Sequence, residues 1–189
     1  MYLSRVELYI NNRITQKIMS SPSRIHGELE RCFVGNRQSA RWRIDQLQGK
    51  TYLLCLSEDK PTYPFSKAEW EIKDYNNLLW KLADGQQWYF KLCGNPIKCI
   101  KGNRIPLVGA NNWLDWLTNR SKIMGVTFLS VTITSFDNLK FKKSNAMVTL
   151  QTVTYQGSLC VNDANKLKNT LIQGIGHGKA YGCGLLTLA

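Results

Sequence analysis

The alternation of apolar and polar residues in the second half of the chain predicts strands and two helices. The segment QWYFKLCGNP (87–96) has the composition of a strand that ends at a proline turn, and a polar connection, KCIKGNRIPL, follows it. Helical spacing then covers residues 112–124, with Asn111 or Asn112 as the cap and Gly125 as the stop. The buried stripe of this helix is predicted to consist of Trp113, Trp116, Leu117 and Ile123.

Two β-rich segments, another helix and a final strand complete this half. Residues 126–134 and 146–161 are rich in β-branched side chains, and residues 156–157 predict a bend or a turn in the second segment. Asp163 is a candidate N-cap for a helix that turns Leu167, Leu171 and Ile172 inward, and an apolar strand ends the chain. The order β-α-β-β-α-β is that of a ferredoxin-like unit, which is also the plan of the RNA-recognition motif.

The first half follows the same order less completely. YLSRVELYI predicts a strand, PSRIHGELERCF a helix and ARWRIDQLQGKTYLLCLS a hairpin. Pro61 and Pro64 argue against the second helix, AEWEIKDY fits the last strand, and NNLLWKLADG fits either a short helix or a connector. We therefore predict an α+β protein of two tandem ferredoxin-like (RRM-like) domains, residues 1–86 and 87–189, the first with a degenerate second helix.

Charge is distributed unevenly between the two halves. The chain of 189 residues carries a formal net charge of +12. Residues 1–90 hold 13 Lys and Arg against 10 Asp and Glu, whereas residues 91–189 hold 12 against 3. This basic second half predicts a polyanionic partner, and nucleic acid is the first candidate. The alternative is a basic protein whose charge serves only its solubility.

Cysteine spacing and apolar runs exclude several other classes. The six cysteines form no C-x-x-C pair, so they indicate neither a zinc site nor a disulfide framework, and we expect no metal and no cofactor. No run of 18 apolar residues exists, and the start MYLSRVELYI lacks the apolar core of a signal peptide. We expect a cytoplasmic protein without a membrane partner.

The chain ends with GIGHGKAYGCGLLTLA, in which residues 174–184 include five glycines. The segment is not a P-loop, because Gln173 stands at the position of the first required glycine and Ala180 follows Lys179. It is not a dinucleotide fingerprint either, because Tyr181 replaces the third glycine. Two interpretations stay open: a loop whose backbone approaches an anionic ligand beside Lys179, or a turn that packs two elements together.

His26 is the candidate for acid–base chemistry. Ser21 and Pro22 fit the cap and the first turn of its helix, and His26 lies at the edge of the predicted buried face, where its ring can open into a cleft. Arg31, later in the same helix, is a candidate for stabilising a charged transition state. Because no cluster has the spacing of metal ligands, any catalysis is expected to be metal-free. The alternative is that His26 lies at the surface or in the core without a catalytic role.

A second candidate contact is the stretch FDNLKFKKSNA (136–146), which lies between two predicted strands. It places Lys140, Lys142 and Lys143 close together, and a long hairpin with such a basic tip is suited to a nucleic-acid groove. A solvated hairpin end without a partner is the alternative.

Taken together, these segments resemble the CasE family, the repeat-processing endoribonucleases of type I-E CRISPR systems. The resemblance is carried by the start MYLSRVELYI, the His-bearing helix, the strand LCGNPIK and, most specifically, the ending GIGHGKAYGCGLLTLA. It spans residues 1–189, although residues 35–85 match only weakly.

The resemblance implies tandem ferredoxin-like domains and a defined reaction. The family binds the CRISPR repeat stem-loop and cuts it once at the 3′ base of the stem without a metal. A ribose 2′-OH attacks the adjacent phosphate, which leaves a 2′,3′-cyclic phosphate and a 5′-OH. The resemblance also implies that the protein keeps the crRNA hairpin within the Cascade complex, beside other protein subunits, and meets target DNA only indirectly through that complex.

The resemblance also assigns residue roles. His26 corresponds to the family's general base or acid, and Arg31 to a basic residue that stabilises the phosphorane. Two positions depart from the family pattern: Ser23 stands where some relatives have Tyr, and Cys93 where relatives often have Arg. The expected RNA-binding residues are Arg24, Lys98, Lys140, Lys142, Lys143, Gly176, His177, Gly178 and Lys179.

Two further function classes remain open at this level. The protein could be a non-cleaving structural subunit that caps the crRNA hairpin, since the basic half and the glycines suit that role equally well. A general single-stranded-RNA-binding protein is the other class, and it requires exposed aromatic rings on the sheet. Phe90, Phe128 and Tyr155 are the candidates for such rings.

Overall fold

The computed structural model describes residues 1–34, 40–143 and 146–189, and it contains the predicted elements together with some that the sequence did not predict, among them a helix over Arg13–Met19. The first half contains β1 (Tyr2–Glu7), α1 (Arg13–Met19), α2 (Pro22–Glu30), β2 (Arg41–Leu47), β3 (Lys50–Ser57), β4 (Glu71–Asp74) and α3 (Asn76–Lys81). The second half contains β5 (Gln87–Gly94), β6 (Ile97–Ile100), β7 (Asn103–Pro106), α4 (Ala110–Thr118), α5 (Ser121–Met124), β8 (Val126–Lys143), β9 (Ala146–Val161), α6 (Ala164–Gln173), a 3-10 turn (Lys179–Tyr181) and β10 (Leu186–Leu188).

The described residues form two four-stranded antiparallel sheets, in the orders β2-β3-β1-β4 and β10-β5-β9-β8. In each sheet the first strand of the unit lies between the third and the fourth, which is the ferredoxin-like arrangement. The predicted fold class is therefore confirmed. Residues 58–70 contain turns and an isolated bridge between Phe65 and Ala68 in place of a second helix. The domain boundary after residue 86 stays a prediction.

The alternation along β3 explains why the first sheet is buried on both faces. Leu53 and Cys55 point to one face, where they pack with Ile25 and Leu29 of α2. Leu56 points to the other face and belongs to the same core as residues of the second sheet. The first sheet thus lies between its own helix and the second half of the chain.

The segment predicted as a polar connection is a β-hairpin. Strands β6 and β7 pair antiparallel around the two residues Lys101 and Gly102, which both have positive φ angles of 48° and 82°. Positive φ at both central residues defines the type I′ turn that suits a tight hairpin, and glycine adopts it without strain. The prediction of a polar connection was wrong because type I′ turns usually have Asn, Asp or Gly at the first turn position, where this chain has a lysine.

The predicted helix over residues 112–124 is two helices. It begins earlier, after Gly109, without a side-chain cap, and the break between α4 and α5 falls at residues 119–120. Gly125 ends α5 in the left-handed conformation, as expected. The break changes the direction in which the residues of α5 face. Ile123, which was predicted to be buried, is 75% exposed, and its neighbour Met124 is buried instead.

The helix after Asp163 is confirmed, whereas the predicted turn in β9 is wrong. Asp163 caps α6 by accepting a hydrogen bond from the backbone N–H of Lys166. Strand β9 continues through residues 156–157, and the irregularities of pairing lie in β8. A Cβ on Gly157 would lie 2.0 Å from the carbonyl oxygen of Ser130, so this glycine permits close strand contact rather than a turn.

A buried guanidinium connects the two sheets. Arg43 on β2 is 3% exposed, and its Nη1 donates to the backbone oxygens of Lys91 on β5 and Leu185 beside β10, each at 2.9 Å. Its Nη2 donates to the carboxylate of Asp45 at 2.8 Å and to the hydroxyl of Thr187 at 2.9 Å. The Lys91 ammonium lies 2.8 Å from the same carboxylate.

The environment of Asp45 shows that this network is electrostatically balanced. Burial by itself raises the pKa of the Asp45 carboxyl, but hydrogen bonds and charge from Arg43 and Lys91 outweigh it and hold the pKa below its ordinary value. The ionised form is therefore the one that the fold stabilises. The stabilisation is present above the ordinary carboxyl pKa of about 4 and is lost as the pH falls through the lower folded value.

We predict that Arg43→Ala strongly destabilises the protein, by about 3–5 kcal/mol, because it leaves the Asp45 carboxylate buried with one partner and removes three contacts between the sheets. The measurement is urea unfolding at pH 7. Arg5→Ala is the control, since Arg5 forms an exposed pair with Glu71 and its loss should change stability little. Equal effects of the two substitutions would contradict the role of Arg43.

Candidate nucleic-acid interface

Helix α2 presents His26 at the edge of the first core. Ser21 caps the helix by accepting from the N–H of Ser23, and Pro22 occupies its first position, as predicted. Ile25 is buried on the face that contacts the sheet, whereas the His26 side chain is 22% exposed. Its Nε2 lies 3.4 Å from a carboxylate oxygen of Glu30, one turn further along the helix. The imidazole is thus held at the surface and partly shielded.

Arg31 does not share the face of His26. It is the C-cap residue of α2, and its side chain is 81% exposed, where its Nη1 lies 3.2 Å from a carboxylate oxygen of Glu28. Five residues on a helix correspond to a rotation of roughly 140° about the axis. In this arrangement the guanidinium turns away from the imidazole, and its catalytic role stays a prediction.

The glycines of residues 174–184, here called the glycine segment, are explained by packing inside the protein. Gly182 has a φ of 87°, and a Cβ on it would lie 2.9 Å from the ring of Trp42 on β2. At Gly184, whose φ is 86°, a Cβ would lie 2.6 Å from the carbonyl oxygen of Ile175. The backbone N–H of Gly184 donates to Cys93, and Trp42 donates its indole N–H to Ala180.

These contacts favour the packing interpretation of the glycine segment, and they place it between both halves of the chain. The remaining predicted contacts there, Gly176 and Gly178, also face protein side chains: Trp116 and Leu150 respectively. The role of these two glycines in RNA binding stays a prediction. The segment still presents polar groups, because His177 is exposed and Lys179 is half-buried.

Lys179 closes the end of the preceding helix. Its Nζ donates to the carbonyl oxygen of Gln173, the last residue of α6, at 2.7 Å. A cation at a helix C-terminus satisfies an otherwise unpaired carbonyl and interacts favourably with the helix dipole. Burial, followed by the charge of Arg41, lowers the pKa of the Lys179 ammonium. An anion at this point would therefore relieve repulsion between two cations.

The surroundings of His177 extend this positive region. Burial lowers the pKa of the His177 imidazole, and the charges of Arg104, Lys179 and Arg120 lower it further. Arg120 lies over the Trp116 ring at 4.0 Å and donates to the carbonyl oxygen of that residue. A region in which several cations repel one another is suited to a polyanion.

Sequence reasoning did not identify Arg41, Arg104 or Arg120. Arg104 lies on β7, in the segment interpreted as a connector, and recognition of its turn would have assigned it to a hairpin. Arg120 follows Trp116 by four residues, which is the spacing of a cation–aromatic pair on a helix. For Arg41 the sequence holds no comparable signal, since it begins an ordinary strand.

The basic hairpin, formed by the paired ends of β8 and β9 around residues 136–146, is confirmed. Lys140 pairs in register with Thr149 and Lys142 with Met147, and both lysines are exposed. Between them Phe141 is 5% exposed, and its ring lies 5.0 Å from that of Tyr181. This aromatic contact fixes the hairpin to the glycine segment. The Lys143 side chain lies outside the described residues.

Helix α2, the glycine segment and the basic hairpin meet around one cleft. α2 contacts both the 3-10 turn and β8. The cleft between them has a volume of about 640 Å³, and its lining includes Pro22, Ile25, Lys140, Phe141 and Tyr181. The structure thus brings the helix that carries His26 next to Lys140 and the glycine segment.

The two other predicted contacts lie on separate elements. Arg24 is an exposed residue of α2, and its Nη1 donates to the carbonyl oxygen of Lys17 and to the hydroxyl of Ser20. Lys98 is exposed on β6. Lys98 is not among the described residues that line the cleft, and both assignments stay predictions.

The aromatic candidates for a stacking platform lie in the core. Phe90 is 4% exposed and Tyr155 is fully buried, with its hydroxyl donating to the carbonyl oxygen of Trp113. Phe128 packs against Phe90 at a ring distance of 5.2 Å. Because bases stack only on accessible rings, these three side chains do not form the stacking platform of an RNA-recognition motif.

In residues 1–34, 40–143 and 146–189, no three side chains of His, Cys, Asp or Glu lie close enough together to hold a metal ion. Within the same ranges, no helix has the length and apolar character that crossing a membrane requires.

Comparisons with known proteins give a consistent result. All 189 residues match the sequence model of a family described as CRISPR associated protein. The chain is 32% identical over 143 residues to CasE, a Cascade subunit of the Escherichia coli K12 CRISPR system, covering 67% of this chain and 69% of that protein. It is 25% identical to the CRISPR-associated endoribonuclease Cse3 of Thermus thermophilus, with both chains fully covered. The structure of Thermus thermophilus Cse3 bound to an RNA representing a pre-cleavage complex has a TM-score of 0.87 at 25% identity, covering 100% of this chain and 98% of that one.

We predict that Gly182→Ala destabilises the protein more than Gly85→Ala does. Both glycines have similar positive φ angles, 87° and 83°, but only the Gly182 position has a neighbour within 4 Å, the Trp42 ring. Gly85→Ala should therefore cost only the strain of the left-handed backbone, about 1–2 kcal/mol, whereas Gly182→Ala should add about 1–3 kcal/mol of steric overlap. Urea unfolding of the two variants measures the difference. Equal losses would show that Trp42 yields without cost.

Proposed function

The chain belongs to the CasE family of CRISPR-associated proteins, and from that premise we propose that it is the endoribonuclease that cleaves CRISPR repeat RNA. The observation that carries the proposal is the convergence of three elements on one cleft: the helix with His26, the glycine segment and the basic hairpin. The full-length match to the Cse3 endoribonuclease supports it. The substrate is the repeat stem-loop, cut at the 3′ base of its stem.

The proposed reaction is an internal transfer at phosphorus. The ribose 2′-oxygen attacks the adjacent phosphorus while its proton passes to a base, and the 5′-oxygen of the next nucleotide leaves and accepts a proton. The products are a 2′,3′-cyclic phosphate and a 5′-OH, so that no water is consumed. His26 is the described titratable group on α2 that suits one of these proton transfers. The reaction requires no metal.

Charge and position supply the rest of the proposed catalysis. Lys140 and Lys142 hold the stem at the mouth of the cleft, and the cations around His177 and Lys179 neutralise the phosphates beside it. Lys143, Arg24 and Lys98 add to the binding surface. A substrate held by many phosphate contacts places one bond in the cleft, and such positioning accounts for much of an enzyme's rate enhancement.

The proposed biological setting is the Cascade complex in the cytoplasm. The E. coli relative is named as a Cascade subunit. We propose that after the cut this protein keeps the crRNA hairpin, contacts other protein subunits of the complex and meets target DNA only indirectly.

One structural feature favours a second candidate, a subunit that binds the crRNA hairpin without cleaving it. The Arg31 guanidinium pairs with Glu28 and is exposed to solvent. In this arrangement Arg31 does not supply a positive charge beside the imidazole of His26. Ser23 stands where some relatives have Tyr, and it cannot supply a phenol group. A cleavage assay on the wild-type protein distinguishes this candidate from the endoribonuclease.

We predict that His26→Ala abolishes cleavage of the host's repeat RNA in EDTA while binding persists, because the proton-transfer group is lost and the cationic surface is kept. The readouts are the fraction cut, the presence of a 2′,3′-cyclic phosphate end, and the dissociation constant. His177→Ala is the comparison, since it removes the other histidine, an expected RNA contact, and should retain the cut at saturating RNA even where the dissociation constant rises.

Other outcomes of that assay point elsewhere. Tight binding of the stem-loop without cleavage by the wild type supports the non-cleaving subunit. Equal binding of the stem-loop and of an unstructured RNA of the same length contradicts both candidates. Cleavage that stops in EDTA and returns with a divalent cation contradicts the metal-free mechanism.

We predict that Lys140→Ala/Lys142→Ala weakens stem-loop binding and reduces the slope of log affinity against log salt by roughly one to two, because each lost phosphate contact releases about one counterion fewer. The control is Lys67→Ala/Lys73→Ala, which removes the same charge from exposed positions of the first half. The salt slope is measured by titration between low and physiological salt. A double variant of the basic hairpin with an unchanged slope contradicts the contact.

A further inference from the structure

A second cavity lies beside the first residues of the glycine segment. Its volume is about 270 Å³, and it is bordered by α5, α6 and residues 174–176. The cleft reaches the same segment at residues 181–182. Residues 176 and 181 are separated by at most about 18 Å of extended chain, so an RNA strand that leaves the cleft along this segment comes close to the cavity.

The cavity is lined by a guanidinium that is held from behind. The Cζ atom of Arg120 lies 4.0 Å from the centroid of the Trp116 ring, and its Nη1 donates to the carbonyl oxygen of Trp116. The indole is 4% exposed and stacks on Tyr155 with an angle of 15° between the rings. Arg120 lines the cavity and Trp116 does not. The stack of Tyr155, Trp116 and Arg120 therefore ends at the cavity with the outer side of the guanidinium.

The charge at this end of the stack favours an anionic ligand. In the described ranges no carboxylate forms an ion pair with Arg120, and burial lowers the pKa of its guanidinium, which still remains protonated. Lys166 also lines the cavity, although its Nζ lies 3.0 Å from a carboxylate oxygen of Asp163. The positive region around His177 includes Arg120, so the cavity continues that region.

Helix α6 adds hydrogen-bonding groups to the cavity. Asn169 and Gln173 are exposed residues one turn apart, and Thr170 is partly buried beside them. A primary amide both donates and accepts, as do the edges of the nucleobases. A guanidinium plane combined with such amides is the set of groups that binds a splayed base in single-stranded RNA.

We propose that this cavity binds one unpaired nucleotide of the repeat RNA near the base of the stem, with its base stacked on Arg120 and its edge bonded to Asn169 and Gln173. The nucleotide must be unpaired, because the edge of a paired base is already bonded to its partner. The inference rests on the proposed function for the identity of the RNA. It concerns affinity and not the chemical step, so the two are tested separately.

The same two elements supply matched control variants. Lys122 follows Arg120 by two residues and Asn165 precedes Asn169 by one helical turn; both are exposed, and neither lines the cavity. Arg120→Ala and Lys122→Ala each remove one positive charge, whereas only the first removes the stacking plane. The double variant Asn169→Ala/Gln173→Ala leaves the stack with Trp116 untouched, so it tests the cavity even if Arg120→Ala impairs folding.

The experiment measures the affinity of each variant for the host's repeat stem-loop and for a series of abasic RNAs. In each RNA of the series one unpaired nucleotide beside the stem lacks its base, and a 2′-deoxy nucleotide at the scissile position prevents the cut. In the wild type we expect one abasic position to weaken binding about 10-fold, the usual effect of losing one stacked base. Arg120→Ala and Asn169→Ala/Gln173→Ala should weaken binding of the intact RNA and remove the effect of that position. Lys122→Ala and Asn165→Ala should preserve it.

Each outcome decides one part of the inference. Equal affinity of the wild type for all the abasic RNAs overturns the nucleotide cavity, even if the protein cleaves the unmodified repeat. An abasic effect that persists in Arg120→Ala and in the α6 double variant places the base elsewhere and also overturns it. If Arg120→Ala weakens intact and abasic RNAs equally, the guanidinium contacts phosphate alone and the stacking is wrong. An abasic effect that the cavity variants remove, in a wild type that does not cleave unmodified repeat RNA, supports the cavity and contradicts the proposed endoribonuclease.

Discussion

The site depends on the buried guanidinium of Arg43, because its components come from both halves of the chain. His26 is carried by the helix packed on the first sheet, whereas the basic hairpin and the glycine segment belong to the second. Arg43 donates from β2 to backbone oxygens beside both β5 and β10, and Asp45 with Lys91 balances its charge. Bonds of this kind are directional, so they fix the register of two sheets that apolar contact alone would let slide.

The glycine segment connects the two sheets to the basic hairpin. It touches Trp42 of the first sheet, Cys93 of the second and Phe141 of the basic hairpin through Tyr181. A side chain at Gly182 or Gly184 would push the glycine segment away from the Trp42 ring or from the backbone of Ile175. The glycines therefore contribute to the site mainly through the approach of protein to protein, and the cations Lys179 and Arg120 supply the charge that an anion meets.

The parts of the structure predictable from sequence were those governed by local periodicity. The cap of α2 at Ser21, the N-cap of α6 at Asp163 and the pairing of the basic hairpin follow from patterns within a few residues. The hairpin around Lys101 and the break before α5 depend on turn conformations that their residue types do not reveal. The cleft and the Arg43 network join residues more than 40 positions apart, and no periodicity encodes such pairs.

The geometry of α2 argues that the RNA itself must complete the site. The structure places one largely buried imidazole, 22% exposed, beside Glu30 and turns Arg31 toward solvent, so the protein offers acid–base chemistry with little preorganised charge at the reacting phosphate. A rate enhancement then depends on how firmly the stem positions the scissile bond, and firm contacts hold the product as well as the substrate. We therefore expect slow cleavage and retention of the cut hairpin to arise together from this surface, as suits a subunit that acts once and then remains bound.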